Sequence, residues 1–455
     1  MQDAYAGNRE PEPPRSTFNI SCSHKTSWDV SVIVPFYWDF LYPGEVRRAV
    51  TRCFLRLSNP LEFPLMDNAY VTVQWYAIPL RILWDNFRKF WGERENPGDS
   101  ISYTVPTLTG TIDMTAWNAN TLLLTYLGVP HLVNVDGTDI SALPCRAYMA
   151  VWNYWYRDSS IQDEETTPTD DGPDALTDSK VKSRGKRFDY FTNVLPNPQR
   201  GEAVTIGGYV ATDLGGTGEL AIYSTNTGGH QHMDPSGAVL DVSATAASTT
   251  GNETMYPNTT IAQLRNAVAI QQFLERDNRA GQLFGDIIEA HYSANFQDAK
   301  YAPSFIAGGR APFVFSAIPN SAADSGATGS EQSLGELGSI GTGVFEGAGF
   351  TYRATEPEII MGMIMVDADL TYHQGLNRKF SYRTRYDFLW PEFAHIGDQA
   401  LLNKELYYQN AAADENVFGY SPRYEECRIG INRLSGEFNP AYATPLDTWH
   451  LAQDF

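Results

Sequence analysis

The run Ala69-Tyr70-Val71-Thr72-Val73-Gln74-Trp75-Tyr76-Ala77-Ile78 is β-branched or aromatic on both faces of an extended chain, the pattern of a strand. Two strand-like runs precede it. Trp28, Val30, Val32, Val34, Phe36 and Trp38 alternate with Asp29, Ser31, Ile33, Pro35 and Tyr37, a period of two in which Pro35 marks an edge position or a bulge. The next run covers Val46 to Leu57, and turn residues at Pro43-Gly44 and Asn59-Pro60 separate the three. The longest predicted strand spans Ile359 to Tyr372, apolar on both faces through Val366, with one face turning polar at Asp367, Asp369 and Thr371. Strands separated by turn residues favour an antiparallel, mainly β scaffold.

Helical periodicity is confined to segments between the strands. Leu80, Leu83, Trp84, Phe87, Phe90 and Trp91 form one apolar stripe after Pro79, and further helices are predicted over Trp117 to Leu127 and Pro144 to Tyr156. These decorate a sheet and are not βαβ crossovers. Thr260 and Gln263 have capping-box spacing before Leu264, Val268 and Phe273. The next helix is marked by Leu283 to His291, and a last one is predicted from Gly397 to Gln409.

Polar segments punctuate this pattern. Asp158 to Asp178 holds eight acidic residues and no basic one, which reads as a solvated loop, and Lys180, Lys182, Arg184, Lys186 and Arg187 follow at once with the opposite sign. Gly201 to Thr260 is rich in Gly, Thr, Ala, Ser and Asn, and reads as an exposed excursion. A second Gly/Ser/Ala-rich loop is predicted from Asn320 to Gly349. The boundaries that follow are an N-terminal arm over 1–27 and one domain over 28–455. Its insertions are helical at 80–157, polar at about 201–260, helical at 260–292 and Gly/Ser-rich at 320–349, and a tail covers 433–455.

Composition excludes several classes. Of 455 residues, 42% are hydrophobic and 13% aromatic, too many for wholesale disorder, and 19% are charged against roughly 25% in typical soluble domains. That balance suggests a subunit covered by its neighbours. A net charge of −21 argues against a chain that wraps nucleic acid unaided, though local basic patches are compatible with it. Cys22, Cys53, Cys145 and Cys427 are scattered and read as buried or inert thiols, with neither a disulfide framework nor a metal site expected. No segment approaches the roughly 20 apolar residues of a membrane span, and Met1 to Arg15 lacks the pattern of a signal peptide, so a chain kept in the cytosol is expected.

Catalytic motifs are missing from the sequence. Gly338 to Gly347 has the spacing GxGxxxG, not that of a dinucleotide fingerprint, and reads as loop. His230 and His232 are close but sit in the polar excursion. Asp367 and Asp369, at i and i+2, share a strand face and are the pair on which a polysaccharide-cleaving or polysaccharide-binding β-sandwich would rest; two carboxylates on a solvated strand end is the commoner arrangement.

Several long, aromatic-rich words resemble one family. They include Phe63-Pro-Leu-Met-Asp-Asn-Ala-Tyr70, Leu83-Trp-Asp-Asn-Phe-Arg-Lys-Phe-Trp-Gly-Glu93, Leu143-Pro-Cys-Arg-Ala-Tyr148 and Arg184-Gly-Lys-Arg-Phe-Asp-Tyr-Phe-Thr192. Arg385-Tyr-Asp-Phe-Leu-Trp-Pro-Glu-Phe-Ala-His395 and Leu446-Asp-Thr-Trp-His-Leu-Ala-Gln-Asp-Phe455 close the series. In this order, from about Arg15 to Phe455, they are similar to the major capsid proteins of the Microviridae, small icosahedral single-stranded DNA phages, closest to the gokushovirus-like branch.

The resemblance implies an eight-stranded antiparallel jelly roll with long inter-strand insertions containing several α-helices. It also implies self-assembly into a T=1 shell of sixty copies in the virion, and a surface insertion that contacts the host. The implied partners are the packaged circular single-stranded DNA, a small basic internal DNA-binding protein, scaffolding and DNA pilot proteins, and a host surface receptor. Assembly is expected in the host bacterial cytoplasm, without membrane insertion, cofactor, metal or enzymatic activity. Sixty copies at −21 each carry about −1,260, so the coat does not neutralise its genome on average. Coat–DNA contact is expected from local cations beside aromatic residues. The candidates are Lys180, Lys182, Arg184, Lys186 and Arg187 near Phe188, Tyr190 and Phe191, and Arg378, Lys379, Arg383 and Arg385 near Tyr382 and Tyr386. A receptor-binding spike of small oligomers is a third reading. The arm and tail are expected to lie across neighbours, because irregular segments gain little on their own fold.

Overall fold

The computed structural model describes residues 16–204, 222–224, 229–231, 261–294, 302–319, 337–394 and 396–455. Two compact units share the chain, one from Met1–Pro196 and Asn295–Phe455, the other Asn197–Ala294. The described strands in chain order are β1 (Val34–Leu41), β2 (Val46–Arg56), β3 (Ala69–Pro79), β4 (Thr111–Ile112), β5 (Val135–Asp136), β6 (Ile222–Ser224), β7 (Gly229–Gln231), β8 (Ser304–Pro319), β9 (Leu337–Arg353), β10 (Glu358–Ala368), β11 (Asp398–Leu402) and β12 (Val417–Pro422). The helices are α1 (Leu80–Leu83), α2 (Phe87–Phe90), α3 (Ala119–Leu127), α4 (Leu143–Val151), α5 (Ile261–Ala280), α6 (Phe284–Tyr292) and α7 (Asn403–Leu406).

The larger unit is built on one six-stranded antiparallel sheet, in the order β1-β10-β3-β8-β9-β2. Strand β1 lies at one edge and its register shifts between Pro35 and Tyr37, so Pro35 marks both an edge and a bulge. The strand begins at Val34 and not at Trp28. Strand β10 is buried on both faces, but at 11 residues it is shorter than β8 with 16 and β9 with 17. These long strands change partner midway. Phe313 on β8 pairs with Ala69 of β3 and with Gly343 of β9.

That hand-over explains why the Gly/Ser/Ala-rich segment is not loop to Gly349: it enters β9 at Leu337. A Cβ on Gly341 would stand 2.5 Å from the Phe313 ring and one on Gly343 2.7 Å from it, so these glycines make room for an aromatic in a strand. Residues 320–336 lie outside the described residues, as do 1–15, Thr260 of the capping-box pattern and nearly all of the excursion at 205–260.

Each face of the sheet carries a core. Tyr76 and Ile78 of β3 and Met361, Met363 and Met365 of β10 pack under Leu83, Trp84, Leu123, Leu124 and Tyr148 of the helical insertion. On the opposite face Val71, Val73 and Trp75 meet Leu55, Phe313 and Phe345. Trp75 donates from Nε1 to Thr51 Oγ1 at 3.0 Å and packs against the rings of Phe36 and Phe350. Helix α3 is started by Asn118, whose side chain accepts from the backbone N–H of Asn120 and Thr121, and stopped by Gly128 at φ 99°. Helix α4 carries Pro144 in its first turn and runs into a π-helical segment, Trp152–Tyr156.

Two helical expectations fail for tertiary reasons. The stripe Leu80 to Trp91 breaks into two short turns because the chain extends at Trp84, whose ring is fully buried and whose Nε1 donates to Asp171 Oδ1 at 2.6 Å. The segment from Gly397 is strand β11, paired with β12, followed by the single turn α7, and Gln399 Nε2 donates to Glu426 at 2.7 Å. In the smaller unit, α5 and α6 are joined through Gly281 at φ 107°, and Asp277 meets Arg200 at 3.1 Å and His291 at 3.6 Å.

The acidic run lies mostly at the surface, but one of its carboxylates is drawn inside. Arg146 on α4, only 2% exposed, meets Asp174 through Nε at 2.7 Å and Nη2 at 2.5 Å, and Nη1 donates to the carbonyls of Leu83 and Asp170 at 2.9 Å each. Asp174 is itself buried. The tail also binds its own subunit: Gln453 N–H donates to Thr371 O at 2.9 Å, Met66 N–H to Trp449 O at 2.7 Å, and Phe455 stacks on Tyr372. The reason for expecting it to leave, that it gains little at home, does not hold.

Removing one partner of a buried ion pair costs about 3–5 kcal/mol. Asp174→Asn is therefore expected to lower the subunit's unfolding free energy by about that much in urea titration, and an unchanged midpoint would show that the pair carries no stability.

Candidate nucleic-acid interface

The two basic segments have different fates. In the first, the acidic run folds back to meet the cations that follow it. Glu165 pairs with Lys180 at 3.3 Å and hydrogen-bonds Lys182, whose ammonium also lies 4.8 Å from the centre of the Trp152 ring. Burial pulls the Lys182 ammonium below its usual range, while Lys182 pulls Glu165 below the usual carboxylate range. Arg184 meets Asp367 at 3.6 Å, Arg187 meets Asp369 at 2.5 Å, and Lys186 bonds the side-chain oxygen of Gln453 in the tail. Tyr190 and Phe191 are buried in a small core with Tyr372 and Leu401, leaving Phe188 exposed.

The same contacts dispose of Asp367 and Asp369 as a free carboxylate pair. Asp367 is 8% exposed, not on a solvated strand end, and it also meets Arg310 at 3.5 Å. Arg310 covers the Tyr70 ring at 3.5 Å and lies 4.0 Å from Asp369. Three guanidinium groups thus engage these two carboxylates within the subunit.

The second segment surrounds a cleft of about 310 Å3 lined by Arg378, Tyr382, Tyr386, Gln399, Arg423 and Glu426. Arg378 is structural: it bonds Glu405 at 3.1 Å and Ala400 O at 2.8 Å, and lies 3.9 Å from Glu426. Burial pushes the Glu405 carboxyl up, and Tyr190 donates its hydroxyl to it at 2.8 Å. Lys379 and Arg383 are different. Both are exposed and neither makes an ion pair with the described residues. Arg385 covers the Tyr386 ring at 4.7 Å, and Arg423 lies 5.4 Å from Phe393 and 5.3 Å from Tyr424. Phe380 (71% exposed), Phe388 and Trp390 stand open beside them.

The structure therefore brings Arg378 to Arg385 together with aromatics as the spacing suggested, and pairs off most of Lys180 to Arg187. Arg310 and Arg423 escaped the sequence reading because each reaches its site from another strand or loop. Among the described residues no three His, Cys, Asp or Glu side chains form a metal site, and no helix is long and apolar enough to cross a membrane. His232 lies outside the described residues, and His230 is described only as backbone of β7. Cys145 is buried, its thiol pushed up to about 12 by burial, whereas Cys53 is half-buried and Cys22 and Cys427 are exposed.

Lys182→Ala is expected to lower subunit stability by about 1.5–3 kcal/mol, the range for a hydrogen bond to a charged group. Lys379→Ala and Arg383→Ala should each stay within about 0.5 kcal/mol of the parent. Equal losses at all three in equilibrium denaturation would contradict this division.

Residues 10–455 match the model of a family described as "Capsid protein (F protein)". The capsid protein VP1 of Bdellovibrio phage phiMH2K is 32% identical over 489 residues, covering 100% of this chain and 88% of the relative. That of Chlamydia phage 1 is 29% identical, covering 98% and 89%, and that of Spiroplasma virus 4 is 26% identical, covering 97% and 85%.

Proposed function

This chain belongs to the capsid protein (F protein) family of the Microviridae, and on that premise we propose that sixty copies close into a T=1 shell around a circular single-stranded DNA genome. It is a structural coat protein and not an enzyme. In the proposed shell each subunit contributes an eight-stranded jelly roll. Support comes from the six-stranded antiparallel sheet, in which β1, the first strand, pairs with β10, the last of that sheet.

The observation that carries the reading is apolar surface left open on a charge-poor chain. Helix α5 exposes Ile261, Leu264, Val268, Ile270 and Phe273, and the 380–396 segment exposes Phe380, Phe388, Leu389, Trp390 and Ile396. Obligate interfaces of roughly 2,000–5,000 Å2 resemble a core cut in half and would cover such patches. The arm, with Phe18 79% exposed, fits a role across neighbouring copies.

Lys379, Arg383 and Arg385, beside Tyr386 and Phe388, are the favoured contacts with the packaged DNA, ahead of Lys180 to Arg187, whose charges are largely met within the subunit. At −21 per copy the coat leaves most of the genome's charge to a small basic internal protein. Scaffolding and pilot proteins would assist assembly in the host cytoplasm. The polar insertion at 201–260 is the segment proposed to meet the host receptor. The polysaccharide reading has no support left once Asp367 and Asp369 are ion-paired.

Expression with its phage partners, followed by negative-stain electron microscopy and light scattering, is expected to show closed particles of uniform size, and a monodisperse monomer would contradict the reading. Within such particles Lys379→Ala with Arg383→Ala should reduce packaged DNA, read as the 260/280 nm absorbance ratio. Lys186→Ala with Arg187→Ala should leave it unchanged.

A further inference from the structure

Strand β2 turns an alternating strip toward solvent. Its outward residues are Val46, Arg48, Val50, Arg52, Phe54 and Arg56, all exposed, while Thr51 and Leu55 point into the core. Phe54 is 69% exposed and Val50 65%, and Val344 of β9, also 65% exposed, stands directly across from Phe54. Strand β2 is the terminal strand of the sheet. Arg52 meets Glu346 at 2.8 Å with both side chains mostly in solvent, and Arg353 stands across from Val46. Arg48 and Arg56 make no ion pair with the described residues.

We infer that this strip is a track for single-stranded nucleic acid, with the guanidinium groups on phosphates and Phe54 and Val50 against the bases. The inference rests on the coat-protein reading and names a surface on which the packaged strand would lie. Charge complementarity identifies the occupant. On a chain of net −21, four outward arginines (Arg48, Arg52, Arg56 and Arg353) against one glutamate, Glu346, on two neighbouring strands is a local reversal of sign. Outward positions on a strand recur every ~6.7 Å. Cation and apolar group therefore alternate along one line, as phosphate and base do along an extended strand. Stacking on Phe54 accepts any base, as a coat enclosing a whole genome requires. A second copy of this chain is the poorer occupant, because interface cores are depleted of charge and two such strips would repel.

The test uses the full-length chain and a fluorescent oligothymidine of about 16 nucleotides. Each phosphate neutralised on a single strand contributes about 0.7 to the slope of log affinity against log salt. Arg48→Gln, Arg52→Gln and Arg56→Gln together should lower that slope by about 2, and the corresponding three lysine substitutions should retain it. Phe54→Ala should weaken binding about five- to a hundredfold with the slope unchanged. An unchanged slope in the glutamine variant would overturn the inference. So would a variant that keeps its oligonucleotide affinity but no longer forms particles, since the strip would then be a subunit contact. Failure of the parent chain to form particles would bear on the coat reading, whereas the slope reports on the strip alone.

Discussion

A buried guanidinium must be met by a buried carboxylate, and in this subunit that requirement organises the chain around the sheet. Arg146 sits inside the helical insertion, and Asp174 reaches it only because the acidic run doubles back across α4 and α1. The return has a second consequence. It delivers the next residues to the edge of the sheet, where Lys182 O accepts from Ile33 N–H at 3.0 Å and Arg184 N–H donates to Ser31 O at 2.8 Å. One ion pair thus anchors the insertion and sets the course of the basic segment that follows it.

Charge in this protein is therefore settled in two ways. Opposite-sign runs adjacent in sequence neutralise one another within the subunit, as Glu165 does for Lys180 and Lys182. Distant pairs such as Arg187 with Asp369 extend the same economy across the sheet end. Among the described cations without an ion pair are Lys379 and Arg383 beside open aromatics and Arg48 and Arg56 on the outermost strand. Open apolar side chains also line α5 and the 380–396 segment, surface of the sort that obligate interfaces cover.

The sheet was legible where side chains follow its period. Strands β2 and β3 and the buried part of β10 could be read directly, because β-branched and aromatic residues fill both faces or alternate cleanly. Strand β8 was missed: Ala307, Gly308, Gly309, Ala311 and Pro312 dilute its pattern, and its order comes from pairing with β3 and β9. The glycines of β9 imitate a loop because their purpose, space for Phe313, lies on another strand. Helical periodicity from Gly397 lost to pairing with β12 for the same reason. At the candidate site the aromatic neighbours of Arg378 to Arg385 were local and visible. The carboxylates that occupy Arg184 and Arg187, Asp367 and Asp369, lie some 180 residues away, out of reach of any local pattern. The arginines of β2 alternate in the sequence, but their common outward face is set by the pairing of β2 with β9.

The central claim is that one subunit is incomplete and is finished by its siblings. A cryo-electron microscopy reconstruction of the DNA-filled particle tests it most directly. The account requires the open apolar faces of α5 and of Phe380, Phe388 and Trp390 to lie beneath neighbouring copies, in a shell of sixty identical chains. Particles in which those side chains remain in solvent, with contacts made elsewhere through polar surface, would contradict it.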